Sequence, residues 1–250
     1  MLIYQYANRN KEKCMMDKQN GSIADRVFTH LKTKIQDCDY MPGATLHEKQ
    51  ICEELGCGRT PVREALLALR KENLVDIFPR SSIRVKPITG GYINEIYQIR
   101  KLLESAVASK FCQLYDKSAL MAYDDKFQTV DISDDHTYYT IDTEFHLFLI
   151  RVTGNQTLIE FYKSLMQVQY RIGMYASRLH TAVKSDTYPQ HHTIIQSILN
   201  EDPAEIERVV AAHANRSLVI SLKAASLCAV SDDLDKRQMK GAYKNEDSKV

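Results

Sequence analysis

Glycine and proline are scarce in this sequence, and no long apolar run is present. The 250 residues include nine glycines and six prolines, while 44% are hydrophobic and 26% are charged. This composition is typical of a folded globular protein and argues against a disordered or fibrous chain. No run of about 18 apolar residues occurs, so we expect no membrane-spanning helix and no membrane partner. The first residues lack the basic region and the cleavage site of a secretory signal, and we therefore expect a cytoplasmic protein.

Cysteine is also used sparingly. The six cysteines are scattered along the chain, and no two of them form a C-x-x-C pair. This spacing argues against both a disulfide framework and a zinc ribbon. The thiols are therefore predicted to be free and mostly buried.

The net charge is only +1, which argues against a chain that binds polyanions over its whole surface. The charge is unevenly distributed, however. Residues up to Lys86 hold 15 Lys and Arg against 11 Asp and Glu, net +4, whereas the remainder holds 18 against 21, net −3. A basic front and an acidic back are consistent with a nucleic-acid-binding module joined to a different module.

The apolar pattern divides the chain into four predicted parts. Residues 1–20 are polar and without pattern, and we predict a disordered extension. Residues 21–87 are predicted to form one folded domain and residues 88–230 a second, helical one. Residues 231–250 are rich in charge and are predicted to form a flexible tail.

Residues 21–87 show three short amphipathic helices followed by two short strands. Ser22 is a suitable N-cap for the first helix, and Gly56 closes the second. The third helix begins in "RTPVREALLAL" and has one buried apolar stripe. Strands are predicted around residues 74–78 and 83–86. This order of elements predicts a winged helix-turn-helix with a small β-hairpin.

Arg59 and Arg63 lie one turn apart on the exposed face of the third helix. In a helix-turn-helix this helix enters the major groove, where the arginine fork matches the O6 and N7 acceptors of guanine. Thr60 and the first amides of the helix can hold phosphate, and Lys49 and Arg80 suit backbone or minor-groove contacts. The alternative, which spacing alone leaves open, is a solvated basic helix face.

From residue 88 onward only helical patterns occur, which predicts an antiparallel all-α bundle. The first of these helices has an apolar stripe that is interrupted by Arg100. A charge in this position needs a partner. Arg100 is either a bidentate donor to a carboxylate ligand or an ion-pair partner of a bundle carboxylate such as Glu104.

Three histidines and one aspartate are predicted to point into this bundle. Asp142 and His146 are spaced i and i+4, His191 lies on the apolar side of its helix, and His213 falls in an apolar stripe. Each histidine alone is more typical of a satisfied core residue. Together they are costly to bury unless a divalent cation pairs with them. Zinc, nickel, iron and manganese all accept such a ligand set, and the resulting net charge of +1 would attract an anion such as a small carboxylate.

The remaining candidate histidines lack comparable placement in an apolar stripe. We interpret four of them as surface residues: His47, His136, His180 and His192. A metalloenzyme is the rival interpretation of the buried cluster, because three histidines and a carboxylate could activate water. No separate general base or nucleophile accompanies the cluster, and the DNA-binding half would have no purpose in such an enzyme. We therefore expect no enzymatic activity.

Over residues 22–225 the sequence resembles GntR-family transcription regulators of the FadR type, which carry a C-terminal FCD domain. The stretch "PGATLHEKQICEELGCGRTPVREALLALRKENLV" is similar to the N-terminal signature of that family. The segments "IYQIRKLLESAVASKF", "DTEFHLFLIRVTGN", "HHTIIQSILNEDP" and "VVAAHANRS" resemble the FCD helices. The family spacing of the last two segments favours His191 over His192 as a ligand.

The resemblance implies a homodimer that places a winged helix in each major groove of an operator. It also implies a helical domain that binds a metal and a small carboxylate, and hence a metabolite-responsive regulator, most often a repressor. Carried over by motif, the base-reading arginines are Arg59 and Arg63. Two departures from the family pattern put its cap and wing contacts in doubt: Gly58 replaces the usual Ser or Thr cap, and Ser81-Ser82 replaces a common glycine in the wing.

Overall fold

A computed structural model describes residues 21–78, 82–179, 184 and 187–244, and it describes side chains up to residue 223 and at residues 225 and 226. The predicted extension at residues 1–20 lies outside the described residues, as do Arg80, Ser81 and His180. The chain divides into two compact units, and the division falls between Pro87 and Ile88.

The described residues of the first unit, 21–78 and 82–87, form three helices and three strands. They are α1 (Ile23–Gln36), β1 (Thr45–Leu46), α2 (Glu48–Leu55), α3 (Arg59–Lys71), β2 (Val75–Phe78) and β3 (Ser82–Val85). Ser22 caps α1 through a capping box with Asp25. Gly56 ends α2 in the left-handed conformation, at φ 63°, which glycine adopts without steric cost. Together these elements form the predicted winged helix-turn-helix.

The sheet of this unit is larger than the predicted hairpin. Its strand order is β1-β3-β2, with both pairings antiparallel. Strand β1 has only two residues, too few for an alternating pattern to show in the sequence. Backbone hydrogen bonds of Val85 continue the pairing, since its amide donates to Ala44 and its carbonyl accepts from Gly43. The prediction of a two-stranded wing was therefore incomplete.

The second unit is helical throughout the part of the chain that the structure describes. Its helices are α4 (Gly90–Lys110), α5 (Lys117–Thr129), α6 (Asp135–Arg151), α7 (Gln156–Leu179), α8 (Thr187–Leu199) and α9 (Pro203–Lys244), with a 3₁₀ turn at Cys112–Leu114. Gly154 separates α6 from α7 at φ 61°. Asp202 caps α9, as predicted, by accepting a hydrogen bond from the amide of Glu205. None of the described helices of either unit is long and apolar enough to cross a membrane.

Helix α9 is longer than we predicted. The apolar pattern ended near residue 225 and a tail was predicted from residue 231, but the backbone is helical to Lys244. The sequence after Pro203 contains no proline and, before Lys244, only Gly241, so no residue forces the helix to end earlier.

The helices of the second unit pack around one interior. Helix α4 packs along α9, α6 packs on α7, and α8 packs against α5 and α9. Phe145, Leu149 and Ile194 are fully buried in the core between them. Tyr115 is anchored there by a hydrogen bond from its hydroxyl to the carbonyl of Leu149, at 2.6 Å. These contacts fix the inner faces of α4, α6, α8 and α9 relative to one another.

Candidate functional site

The four residues predicted as metal ligands meet in the interior of the second unit. Asp142 and His146 lie on α6, His191 on α8 and His213 on α9. All four are buried. The neighbouring His192 has a side chain that is 43% exposed, so α8 turns His191 and not His192 toward the interior.

The nitrogen and oxygen atoms of these side chains lie close together. Nε2 of His213 is 3.3 Å from Nε2 of His146, and Nε2 of His191 is 3.2 Å from Oδ1 of Asp142. The same oxygen lies 3.8 Å from Nε2 of His146. One ring nitrogen each of His146, His191 and His213 lie within 4.8 Å of one another.

This arrangement is compatible with a bound divalent ion. Two nitrogens held about 2.0–2.1 Å from one tetrahedral ion are roughly 3.4 Å apart, close to the separation between His146 and His213. Within the described chain, both ring nitrogens of His191 are buried without a well-aligned hydrogen-bond partner. Buried polar atoms of this kind are costly, and coordination to an ion would satisfy them. The donor set could hold zinc, nickel, iron or manganese.

The protonation states of the cluster also suit a metal. Burial lowers the pKa of His191 and of His213, because an imidazolium is poorly solvated in the interior. Burial acts to raise the pKa of Asp142, but the interaction with His191 and the charge of Arg100 outweigh burial and hold that pKa below its usual value. Neutral imidazoles and an ionised carboxylate are the forms that coordinate metals.

Two further side chains contact the Nδ1 atoms of His213 and His146, on the far side of each ring from the cluster. Oε1 of Gln190 lies 3.3 Å from Nδ1 of His213, which places the proton on Nδ1 and leaves Nε2 to face His146. Oε2 of Glu104 lies 2.9 Å from Nδ1 of His146. Such contacts to the far nitrogen orient ligating histidines in metal sites.

Arg100 forms the ion pair with Glu104, which is one of the two alternatives that the sequence left open. Its Nε donates a 2.7 Å hydrogen bond to Oε1 of Glu104, and both side chains are at most 1% exposed. One of its terminal nitrogens, Nη2, is buried without a hydrogen-bond partner among the described residues. Burial acts to lower the pKa of Arg100, but the charge of Glu104 outweighs burial and raises it, so the guanidinium stays charged. The ion pair with Glu104 therefore forms and still leaves a donor available.

A cavity of about 500 Å³ adjoins the cluster. Asp142, His213 and Arg100 all contribute to its wall, together with the basic residues Lys184 and Lys223. The rest of the wall is rich in hydroxyl groups, which come from Tyr97, Tyr138, Tyr139, Ser177, Thr187, Ser217 and Ser221. The volume lies in the range of small-molecule sites. Two of the cations of the wall are already paired, Arg100 with Glu104 and Lys184 with Asp135.

Gly173 in the middle of α7 allows the cavity wall to pack. A Cβ atom at this position would overlap the ring of Tyr139, and both residues line the cavity. We expect Gly173→Val to lower the free energy of unfolding by about 1–3 kcal/mol, because an overpacked interior must shift. Urea unfolding followed by circular dichroism measures the change. Gly91→Val is the control, since its Cβ would have no neighbour nearer than 4.0 Å; equal losses in the two variants would contradict the packing explanation.

The residues predicted to contact DNA lie in the first unit, where four of the five are described. Arg59, Thr60 and Arg63 are exposed on α3, and Lys49 is exposed on α2. Gly58 provides no side-chain cap to α3, so the first amides of that helix have no cap from this residue and can meet a phosphate. Arg80 lies outside the described residues.

Arg63 has an ion-pair partner that the sequence did not predict. Its Nε donates to both oxygens of Glu48 on α2, at 3.2 and 3.0 Å, while its side chain remains 58% exposed. Glu48 occupies only the Nε edge of the guanidinium. The hydrogen bonds to Glu48 come from Nε and not from the two terminal amino groups, which form the fork that reads guanine.

The sequence did not predict three contacts: that of Glu48 with Arg63, that of Gln190 with His213, and that of Glu104 with His146. The i, i+4 spacing of Arg100 and Glu104 in an apolar stripe was a usable signal for that pair. The other contacts join residues from different helices, and no periodicity within one helix reveals them.

A winged helix-turn-helix joined to a helical domain with an inner cavity is the architecture of a DNA-binding transcription regulator that responds to a ligand. Residues 23–85 match the family model for bacterial regulatory proteins of the gntR family, and residues 95–216 match the FCD domain. The chain therefore belongs to the GntR family, with the domain arrangement of its FadR subfamily.

Characterised and solved relatives agree with this assignment. The chain is 27% identical to the Uxu operon regulator of Haemophilus influenzae, over 86% of this chain and 88% of that protein. It is 23% identical to the transcriptional repressor RspR of Escherichia coli, over 76% and 85%. A solved GntR regulator from Rhodococcus has the same fold, with a TM-score of 0.68 and 23% identity over 81% of this chain and 99% of that chain.

Proposed function

We propose that this regulator is a homodimeric repressor whose FCD domain binds a divalent metal and a small carboxylate. The observation that carries the proposal is the convergence of Asp142, His146, His191 and His213 beside a cavity that Arg100 also lines. A bound metal would supply a positive centre at which an acid group is attracted. Arg100 would then donate from its free terminal nitrogen to the same acid group.

The residues of the first unit would recognise the operator. Arg59 and Arg63 would read base edges in the major groove. Lys49, Thr60 and Arg80 would make the backbone or wing contacts to the DNA. Relatives named as repressors, such as RspR, support the direction of regulation. Binding of the carboxylate would alter operator affinity only if the acid binds one of two states of the dimer more tightly than the other. The resulting change in the free energy of operator binding is the coupling free energy.

The proposal is tested on the purified full-length chain with operator DNA selected from a random pool. Zinc and a panel of small mono- and dicarboxylates are added, and DNA binding is followed by fluorescence anisotropy. We expect at least one acid to weaken DNA binding in the zinc-loaded protein and to raise its thermal midpoint. If no acid changes either quantity, the effector part of the proposal is wrong.

Arg100→Lys tests whether Arg100 binds the carboxylate. The substitution keeps the charge but removes the planar fork, and we expect the carboxylate to bind about tenfold more weakly, with zinc affinity nearly unchanged. Isothermal titration of the zinc-loaded variant measures this loss. Arg208→Lys is the matched control, since Arg208 is exposed and pairs with Glu205 on the surface; the same loss in the control would contradict the assignment.

A further inference from the structure

Glu104 is the most completely buried carboxylate of the second unit, with no exposed surface among the described residues. It lies on α4, one turn after Arg100. Its Oε1 accepts hydrogen bonds from Nε of Arg100 and from the hydroxyl of Tyr162. Its Oε2 lies 2.9 Å from Nδ1 of His146. One carboxylate thus contacts both the arginine on the cavity wall and a histidine of the metal cluster.

The contact with His146 decides which ring nitrogen is available to a metal. A carboxylate at hydrogen-bonding distance favours the tautomer with the proton on Nδ1, even though the ring is not turned into the best alignment. The lone pair of this tautomer is on Nε2. That atom faces Nε2 of His213 and Oδ1 of Asp142, where the cluster converges.

The contact with Arg100 decides which part of the guanidinium is available to a ligand. Glu104 binds the Nε edge, and Cζ lies 5.2 Å from the centre of the Tyr97 ring. The group is therefore held from two directions. Nη2 remains without a partner in the described structure, and Arg100 forms part of the cavity wall.

We propose that Glu104 is a positioning residue that aligns His146 for the metal and Arg100 for the acid at the same time. The inference depends on the proposed metal and carboxylate function, and it assigns the coupling of the two sites to one side chain. A purely structural role would require only that the buried charge of Arg100 be neutralised, and it would place no constraint on the tautomer of His146.

Glu104→Gln preserves shape and removes the acceptor that faces His146. Because it also removes the charge that neutralises Arg100, the tautomer of His146 is the readout that distinguishes the two roles. The amide oxygen can still accept from Arg100 and Tyr162, but the amide nitrogen then faces Nδ1 of His146. Two donors cannot share this contact, so the proton of His146 is expected to move to Nε2, where it blocks coordination. We expect zinc affinity to fall by about 10- to 100-fold. Isothermal titration with a competing chelator measures the affinity, and circular dichroism verifies folding.

Two matched variants accompany this measurement. Tyr162→Phe removes one donor to Oε1 but leaves the contact with His146, so zinc affinity should change little. Glu95→Gln makes the same substitution on the exposed side of α4 and should have no effect. If Tyr162→Phe lowers zinc affinity as much as Glu104→Gln, disturbance of the bundle explains both losses and the proposal is overturned.

A double variant shows whether Glu104 acts through His146. In a His146→Ala background the additional substitution Glu104→Gln should cost no further zinc affinity, since the residue being positioned is absent. A full additional loss would overturn the proposal. The tautomer is also measured directly, by ¹⁵N NMR of the histidines in the metal-free wild-type protein; a proton on Nε2 of His146 would overturn the proposal even if Glu104→Gln fails to fold.

The outcomes distinguish this inference from the proposed function. If wild-type protein binds no zinc and the tautomer of His146 is that with the proton on Nε2, both are wrong. If zinc binds and is lost in His146→Ala but retained at wild-type affinity in Glu104→Gln, the metal site stands and the role of Glu104 is wrong. Loss of affinity in Glu104→Gln with the tautomer change supports both.

Discussion

Substituting His213 by alanine is expected to lower the zinc affinity of the protein by more than about 100-fold, since loss of a ligand should exceed the 10- to 100-fold cost of losing an outer partner. The physical reason is geometric. Nε2 of His213 lies 3.3 Å from Nε2 of His146, and both side chains are buried. Removing the ring leaves two histidines and Asp142, a smaller donor set.

Thermal unfolding provides an independent measure of the same loss. A ligand that binds only the folded state stabilises it by about 2.7 kcal/mol at a concentration 100 times its Kd. Zinc should therefore raise the thermal midpoint of the wild-type protein and have little effect on His213→Ala. The variant should also lose its response to the carboxylate while it retains DNA binding, because α3 belongs to the other unit.

His192→Ala is the matched control for this prediction. This histidine lies next to His191 on α8, but it is 43% exposed and pairs with Asp124. Its removal should leave zinc affinity unchanged. Wild-type zinc binding by His213→Ala would exclude His213 from the ligand set, and the cluster would then be a group of buried core histidines.

The sequence predicted those features that depend on spacing within a single helix. Asp142 and His146 share a face because they are four residues apart, and His191 rather than His192 lies on the apolar side of its helix. The cap at Ser22 and the helix end at Gly154 follow from equally local chemistry. These features recur in the structure because tertiary packing uses the faces that local periodicity creates.

Features that depend on contacts between helices could not be predicted in this way. The hydroxyl of Tyr162 meets Glu104 across 58 positions of sequence, and Glu48 meets Arg63 across 15. Neither pair has a periodic signature, since each requires the crossing of two helices to be known. Strand β1 was missed for a related reason, because its pairing with β3 is visible only once the turn at Gly43 has brought the chain back.

For the first unit, Arg63→Ala is expected to weaken binding to a selected operator by about 1–3 kcal/mol, or roughly 5- to 150-fold. The loss of affinity should be confined to the operator duplex, because a base-reading arginine adds little to the phosphate contacts that govern non-specific binding. Fluorescence anisotropy at one fixed salt concentration, with the operator and with a scrambled duplex, measures both affinities. Arg70→Ala, at the exposed far end of α3, should change neither.

The ion pair with Glu48 makes this prediction more specific. Because Arg63 is 58% exposed, losing the pair should have little effect on folding stability, so a fall in operator affinity would not reflect unfolding. Glu48 fixes the Nε edge of the guanidinium and thereby limits the directions in which its fork can point. Glu48→Ala should therefore reduce discrimination between operator and scrambled DNA while it leaves non-specific binding intact or slightly stronger. An equal loss on both duplexes in Arg63→Ala would instead make this arginine a phosphate contact.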